Sequence, residues 1–204
     1  MSYTFSRISI NGTKPVNCYS EHHSKTTLIR EVMGIIRCTS KLLKELGTEA
    51  ALVPKQPPSL SDWHANLLRV DRKKWVLFTN DLTLYSFLVH IVKEPFSAGI
   101  GEQFRLGLLK SLVSEKLDEW QLKLMLSSQG PVIITKTNSR SVLGSMNDLC
   151  FQIKGIVYSI GRLTDANLSV INLQVNRIPM SAIKYNVGIE ELKRRLFELE
   201  HGTE

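Results

Sequence analysis

Long apolar runs are missing from this chain, and nothing in it reaches the length needed to cross a bilayer. Met1 to Asn11 also lacks the basic segment and apolar core of a signal peptide, so the expected setting is cytoplasmic, with no membrane partner. Cysteine is scarce. Cys18, Cys38 and Cys150 are odd in number and widely spaced, which excludes a disulfide framework and a C-x-x-C metal knuckle and suits a reducing compartment. Neither H-x-H, H-E-x-x-H nor a carboxylate cluster is present, so no metal is expected, and no cofactor either. The chain lacks a glycine-rich phosphate loop and a G-x-S-x-G elbow. It has no run of five or more basic residues, although the net charge is +7. That excess favours a polyanionic partner without identifying one.

What is present is an ordinary globular composition, 43% hydrophobic and 22% charged over 204 residues, enough to bury a core. Residues 1–32 are weakly patterned and read as an N-terminal extension; 33–204 read as a single globular domain. Gly34 to Cys38 has strand character, and Thr39 or Ser40 can cap a short helix through Leu42, Leu43 and Leu46 that Gly47 ends. Pro54, Pro57 and Pro58 forbid regular structure up to Ser59. Trp63 to Val70 and Lys74 to Thr79 then form an antiparallel hairpin about Asp71, Arg72 and Lys73, and Thr83 to Val92 reads as a third strand. Two helices follow, one carrying Phe104, Leu108 and Leu112, the next capped by Asp118 and ended at Gly130-Pro131. Val132 to Ile134 reads as a buried strand leading into a helix that continues to Ile160. The alternation over Leu168 to Val175 predicts another strand, and Ile189 to Leu199 the last helix. The expected fold is α+β, an antiparallel sheet of about four to five strands with helices mostly packed on one face.

Several stretches match a known pattern: Ile35-Ile-Arg-Cys-Thr-Ser-Lys-Leu-Leu43, Asp62-Trp-His-Ala-Asn-Leu-Leu68, Val76-Leu-Phe-Thr-Asn-Asp-Leu-Thr-Leu84 and Lys136-Thr-Asn-Ser-Arg-Ser-Val-Leu-Gly-Ser-Met-Asn-Asp148. Ile178-Pro-Met-Ser-Ala-Ile-Lys-Tyr185 matches more weakly. From Met33 to about Leu199 the chain resembles an uncharacterised bacterial family of domains of unknown function, found as small stand-alone proteins. Where that pattern has Asn just before the Arg, this chain has Ser139, with Asn138 one place earlier. The resemblance implies a bacterial cytoplasmic protein and brings no activity with it.

The helix after the polar turn is the most informative element. At about 100° per residue, Val142, Met146, Leu149, Ile153, Ile156, Val157 and Ile160 form one apolar stripe. On the opposite side Arg140, Gly144, Asp148, Phe151, Gly155, Tyr158 and Arg162 fall near one line. A solvated face rarely carries two glycines and two aromatics, so this is expected to be a second packing face, met by another layer of the chain, a ligand or a second copy. Lys136, Asn138 and Arg140 stand at the helix's positive end and make an anion site conceivable; an ordinary N-cap is the simpler account. Arg69, Arg72, Lys73 and Lys74, with Trp63 and Trp75 nearby, form a basic hairpin suited to nucleic acid or an acidic protein.

The reading that follows is a non-enzymatic binding protein, recognising a nucleic acid or acidic protein through the hairpin and the Arg140–Arg162 face. One alternative is an enzyme acting on an anionic small molecule or phosphodiester, drawing on His64, Ser141, Ser145 and Asp148. It requires Lys136, Arg140, Asp148 and His64 to converge on one concave pocket. The other alternative is a structural homodimer.

Overall fold

The structure, a computed structural model, describes residues 34–53, 56–90 and 99–202. The extension expected over 1–32 and the loop expected about Pro95 lie outside the described residues, apart from the loop's last positions. In chain order the elements are β1 (Gly34–Cys38), α1 (Ser40–Leu46), β2 (Asp62–Val70), β3 (Lys73–Asn80), β4 (Ser86–His90), α2 (Ile100–Ser114) and α3 (Glu119–Ser127). After them come β5 (Val132–Lys136), α4 (Arg140–Ile160), α5 (Leu168–Val175), the short pair β6 (Pro179–Met180) and β7 (Asn186–Val187), and α6 (Gly188–His201). The fold is α+β.

Local chemistry accounts for most boundaries. Thr39 accepts a hydrogen bond from the Leu42 amide, and Gly47 closes α1 at φ 61°. Asp118 and Gln121 form a reciprocal capping box on α3, and Ser139 caps α4 by accepting from the Val142 amide. The β2–β3 hairpin turns on two residues, Asp71 (φ 50°) and Arg72 (φ 61°), the pair of positive φ values that a two-residue hairpin of matching twist demands. Asp71 also accepts from the Leu163 amide at 2.9 Å, tying the turn to the end of α4.

The main sheet has the order β4-β3-β2-β1-β5. Only β2-β3 and β3-β4 are antiparallel; β1 lies parallel to both β2 and β5, so the sheet is mixed and the expectation of an antiparallel one is corrected. The physical reason is the α1 and proline-rich connection, which returns the chain to the start of β2 pointing the same way as β1.

Helices cover both faces, a second correction. Ile36, Trp63, Ala65, Val76, Phe78 and Phe87 pack with α1, α2 and α6, while Leu68, Trp75, Leu77 and Leu88 pack with α4 and α5. Strands buried on both sides show runs of apolar residues rather than alternation, as in Trp75-Val-Leu-Phe78.

Leu168–Val175 is a helix, not the strand its alternation suggested. Its Asn172 takes a hydrogen bond from the Leu88 amide at 3.0 Å, and the Asn176 amide just beyond it pairs with both backbone groups of Ser86, at 2.7 and 2.8 Å. The outer edge of β4 is thereby closed by side chains instead of by another strand. Close by, α6 begins against the β3–β4 turn, and its Ile189 amide bonds to the Asn176 carbonyl at 3.3 Å. A Cβ on Gly188 would lie 3.1 Å from the Leu84 carbonyl oxygen and the Tyr85 Cα, both backbone atoms, so a larger residue would have to push the two segments apart by a few tenths of an ångström.

Candidate functional site

The α4–α5 face of the sheet carries a polar row that no short motif announces. Thr135, Arg37, His64, Thr79 and Ser86 stand side by side on five successive strands, all buried. A buried guanidinium must find carboxylates. Arg37 Nη1 donates to Asp81 Oδ2 at 2.6 Å, and Nη2 lies 3.5 Å from Asp62 Oδ2. His64 Nδ1 meets Asp81 Oδ1 at 2.5 Å. Asp62 is fully buried; burial pushes its carboxyl above the usual range, the Arg37 charge opposes that shift, and the Asp81 charge adds to it.

Asn80 fastens the same corner. Its Nδ2 donates to the carbonyls of Leu60 and Asp62, and its Oδ1 accepts from the Leu82 and Thr83 amides and the Thr83 hydroxyl. Two atoms here have no hydrogen-bond partner among the described residues: His64 Nε2 and Asp62 Oδ1. An imidazole oriented by a carboxylate with its far nitrogen free is the layout of an acid–base pair, yet His64 is fully buried.

Three cavities among the described residues lie elsewhere. One of about 640 Å³ runs past Leu60, Leu82, Arg195 and Leu199, and one of about 430 Å³ past Leu82, Lys184, Glu191 and Arg194. A third, also about 430 Å³, is lined by Asp148, Phe151, Gln152, Met180 and Tyr185.

Against this geometry the residues expected from sequence separate. Lys136, Asn138 and Arg140 are exposed about the start of α4, where Ser139 already caps the helix. Ser141 and Asp148 are exposed, Ser145 is buried beneath α4, and His64 is engaged with Asp81. Lys136, Arg140, Asp148 and His64 therefore share no concave pocket. The enzyme reading required that they do, and it is not carried further.

The basic hairpin is partly neutralised: Arg69 donates to Glu45 at 3.1 Å, and Lys74 pairs with the same carboxylate, whose ionisation is held below the usual range first by the Lys74 hydrogen bond. Arg72 and Lys73 are exposed, but Trp63 and Trp75 are fully buried and offer bases no stacking surface.

Among the described residues no helix or sheet layer covers the second face of α4, although the 178–185 segment stands beside Asp148 and Phe151 across a cavity. Arg140, Gly144, Asp148, Phe151, Gly155, Tyr158 and Arg162 are all exposed, and a Cβ on Gly144 or Gly155 would find no atom within 4 Å. Phe151 is 75% exposed and Tyr158 91%. The two glycines and two aromatics of that face thus stand exposed among the described residues. The inner stripe does pack: Val142, Met146, Leu149, Ile153 and Val157 are buried against the sheet.

Sequence reasoning missed Arg37, Asp62, Asn80 and Asp81. One signal was legible: an arginine inside Gly-Ile-Ile-Arg-Cys, a strand of otherwise small or apolar residues, calls for a buried acid. Cys150 is half-buried beside Asn66, whose Nδ2 lies 3.8 Å from its Sγ, and burial raises its ionisation above the usual range.

No helix among the described residues is long and apolar enough to cross a membrane. Comparison with curated proteins and with solved structures finds no match. A family model does match, over residues 35–191, which takes in the buried Arg37 cluster and all of α4. The chain belongs to the family described as Domain of unknown function (DUF6933).

Proposed function

We propose that this chain is a non-enzymatic binding protein that docks a partner protein on the outer face of α4. The supporting observation is the pair of ring side chains, Phe151 and Tyr158, held 75% and 91% in solvent on a helix whose other face is buried. Nothing in the fold requires them there. Polar residues would serve a solvated helix better, and each of the two interior glycines costs about 1 kcal/mol against alanine. A docked partner explains both features. Aromatic side chains anchor interfaces, and open glycines let a second backbone come close. Arg140 and Arg162 at the two ends of the face supply a charged rim.

The nucleic-acid version of the reading has less in its favour, since the hairpin's aromatic residues are buried and Glu45 occupies two of its cations. The test is a photo-crosslinking residue placed at Phe151 or Tyr158 of the full chain in its native cells. A discrete adduct is expected from both positions and not from Val113, an exposed site on α2. Equal adducts from Val113, or none from α4, would sink the reading. A salt-sensitive gel shift abolished by replacing Arg72 and Lys73 would transfer the function to the hairpin.

A further inference from the structure

We propose that the cavity between α4 and the Pro179–Tyr185 segment receives a cationic side chain, a guanidinium or an alkylated ammonium, from the docked partner. The inference rests on the docking reading above and adds the chemistry of what is recognised.

Two rings stand at this cavity. Phe151 approaches from α4 and Tyr185 from the turn, each about three-quarters exposed, at 75% and 76%. Neither stacks on another ring among the described residues, so their faces remain available. Met180, only 7% exposed, also lines the cavity, with Ile178 and Pro179 beside it. Aromatic faces carry negative potential, and a cation between or above them is held without needing a hydrogen-bond donor or acceptor of fixed direction.

The turn is built to hold Tyr185 in place. Lys184 and Tyr185 both occupy the left-handed region, at φ 56° and 62°, a conformation that bulky residues seldom adopt. The Tyr185 amide bonds to the Met180 carbonyl at 2.9 Å and the Lys184 amide to the Ser181 carbonyl at 3.1 Å. Pairing of Met180 with Asn186 closes the segment. Strain retained at an exposed ring fits a residue whose position matters more than its local comfort.

Charge supplies the sign. Asp148 is the one charged side chain lining this cavity, and it has no ion pair or hydrogen bond among the described residues. Lys154, one helical turn beyond Phe151, does not line this cavity, and Lys184 lines the neighbouring one with Glu191 and Arg194. An unpaired carboxylate beside two open rings and a thioether selects a cation over an anion, and a delocalised or alkylated cation over a compact, strongly hydrated one.

The experiment is a titration of the full chain, followed by amide shifts at Asp148, Phe151 and Tyr185, with three blocked tripeptides. Their central residues are arginine, trimethyl-lysine and norleucine, the last a neutral chain of similar shape. Arginine and trimethyl-lysine peptides are expected to move these amides, with whichever binds tighter naming the preferred cation, while norleucine leaves them unmoved. Phe151→Ala and Tyr185→Asn, the latter chosen because Asn tolerates the left-handed turn, should each weaken the cation by about fivefold or more. Asp148→Asn should weaken it by a similar factor. All three positions are exposed, so the fold is preserved, and an unchanged amide spectrum elsewhere verifies this. Equal binding of norleucine, or no shift with any peptide at about 10 mM, overturns the proposal. If crosslinks from Tyr158 persist in that case, the docking face survives and only its cation chemistry is lost.

Discussion

Two glycines in this chain look alike on paper and differ in what surrounds them. A Cβ on Gly107 would come within 2.5 Å of Val89 and 2.9 Å of Phe87, where α2 lies on β4. Gly107→Ala is therefore expected to lower stability by roughly 1–3 kcal/mol through overpacking. Gly144 faces open space, so Gly144→Ala should raise stability by about 0.5–1 kcal/mol while weakening docking on α4. Urea denaturation of both variants, beside the crosslinking assay, separates the two effects. Asp62 offers a test in pH. Burial makes the folded chain hold this proton to higher pH than the unfolded chain, whose group titrates near 3.8. The folded state thus binds more protons, and stability falls as pH rises above that value, up to the raised folded value. Asp62→Asn should remove this component, so the variant gains in Tm relative to the parent as pH rises through that window. A Tm difference that stays flat with pH would show that Asp62 is not held protonated. At residue level only Gly144 and the arginine inside the apolar β1 gave a signal in the sequence. Asp62 and Asp81 carried no assigned functional role in the sequence until the fold set them around Arg37.

Elements were read well where local chemistry decides them. The Thr39 cap, the Gly47 stop and the Asp118 cap are short-range devices, and each formed as its residues require; the hairpin formed too, but it turns on Asp71 and Arg72, with Lys73 already in β3. The reading failed at α5, because Leu168–Val175 alternates like a strand while its partners lie far away in the chain. Asn172 and Asn176 look like interruptions in an apolar pattern. In the fold they satisfy the backbone of the β4 edge. Asn176→Ala would strip partners from both the amide and the carbonyl of Ser86, an expected loss of roughly 2–4 kcal/mol. Hydrogen exchange should report it as faster exchange at Ser86 than at the β2–β3 pairing. Unchanged protection at Ser86 would show that β4 does not depend on α5 for its edge.

At the scale of the molecule, the basic charge of +7 is spread rather than gathered into one patch. Two hairpin cations share Glu45, while Arg177 grips Glu115 through both guanidinium nitrogens at 3.3 and 2.9 Å and ties α5 to the end of α2. Arg194 and Arg195 are likewise occupied with Glu191 and Glu198 along α6. Among the described residues the outer face of α4 holds the two aromatic side chains Phe151 and Tyr158 in solvent. Phe151→Ser with Tyr158→Ser should leave stability within about 0.5 kcal/mol of the parent, as exposed positions do, and abolish the α4 crosslink. Light scattering is expected to give the single-chain mass of 23.1 kDa. An antiparallel second copy centred on Phe151 would set Arg140 against Arg162 at both ends, like charge against like. Twice that mass would instead make the partner a second copy, with Gly144→Leu or Gly155→Leu then restoring monomers.

Sequence alone determined the things that a few neighbouring residues can enforce: which stretches bend, cap or stop, which stripe of α4 is buried, and that the fold is α+β. Tertiary structure decided the rest. It chose parallel pairing for β1, put helices on both faces of the sheet, and made a helix of an alternating segment. It also gathered Arg37, His64 and Asp81 from positions 44 and 17 residues apart. Such contacts depend on how distant strands are ordered, and no local periodicity encodes that order. The outer face of α4 belongs to both levels. Its unusual residues were visible in the sequence, and the fold decides that they stand exposed among the described residues.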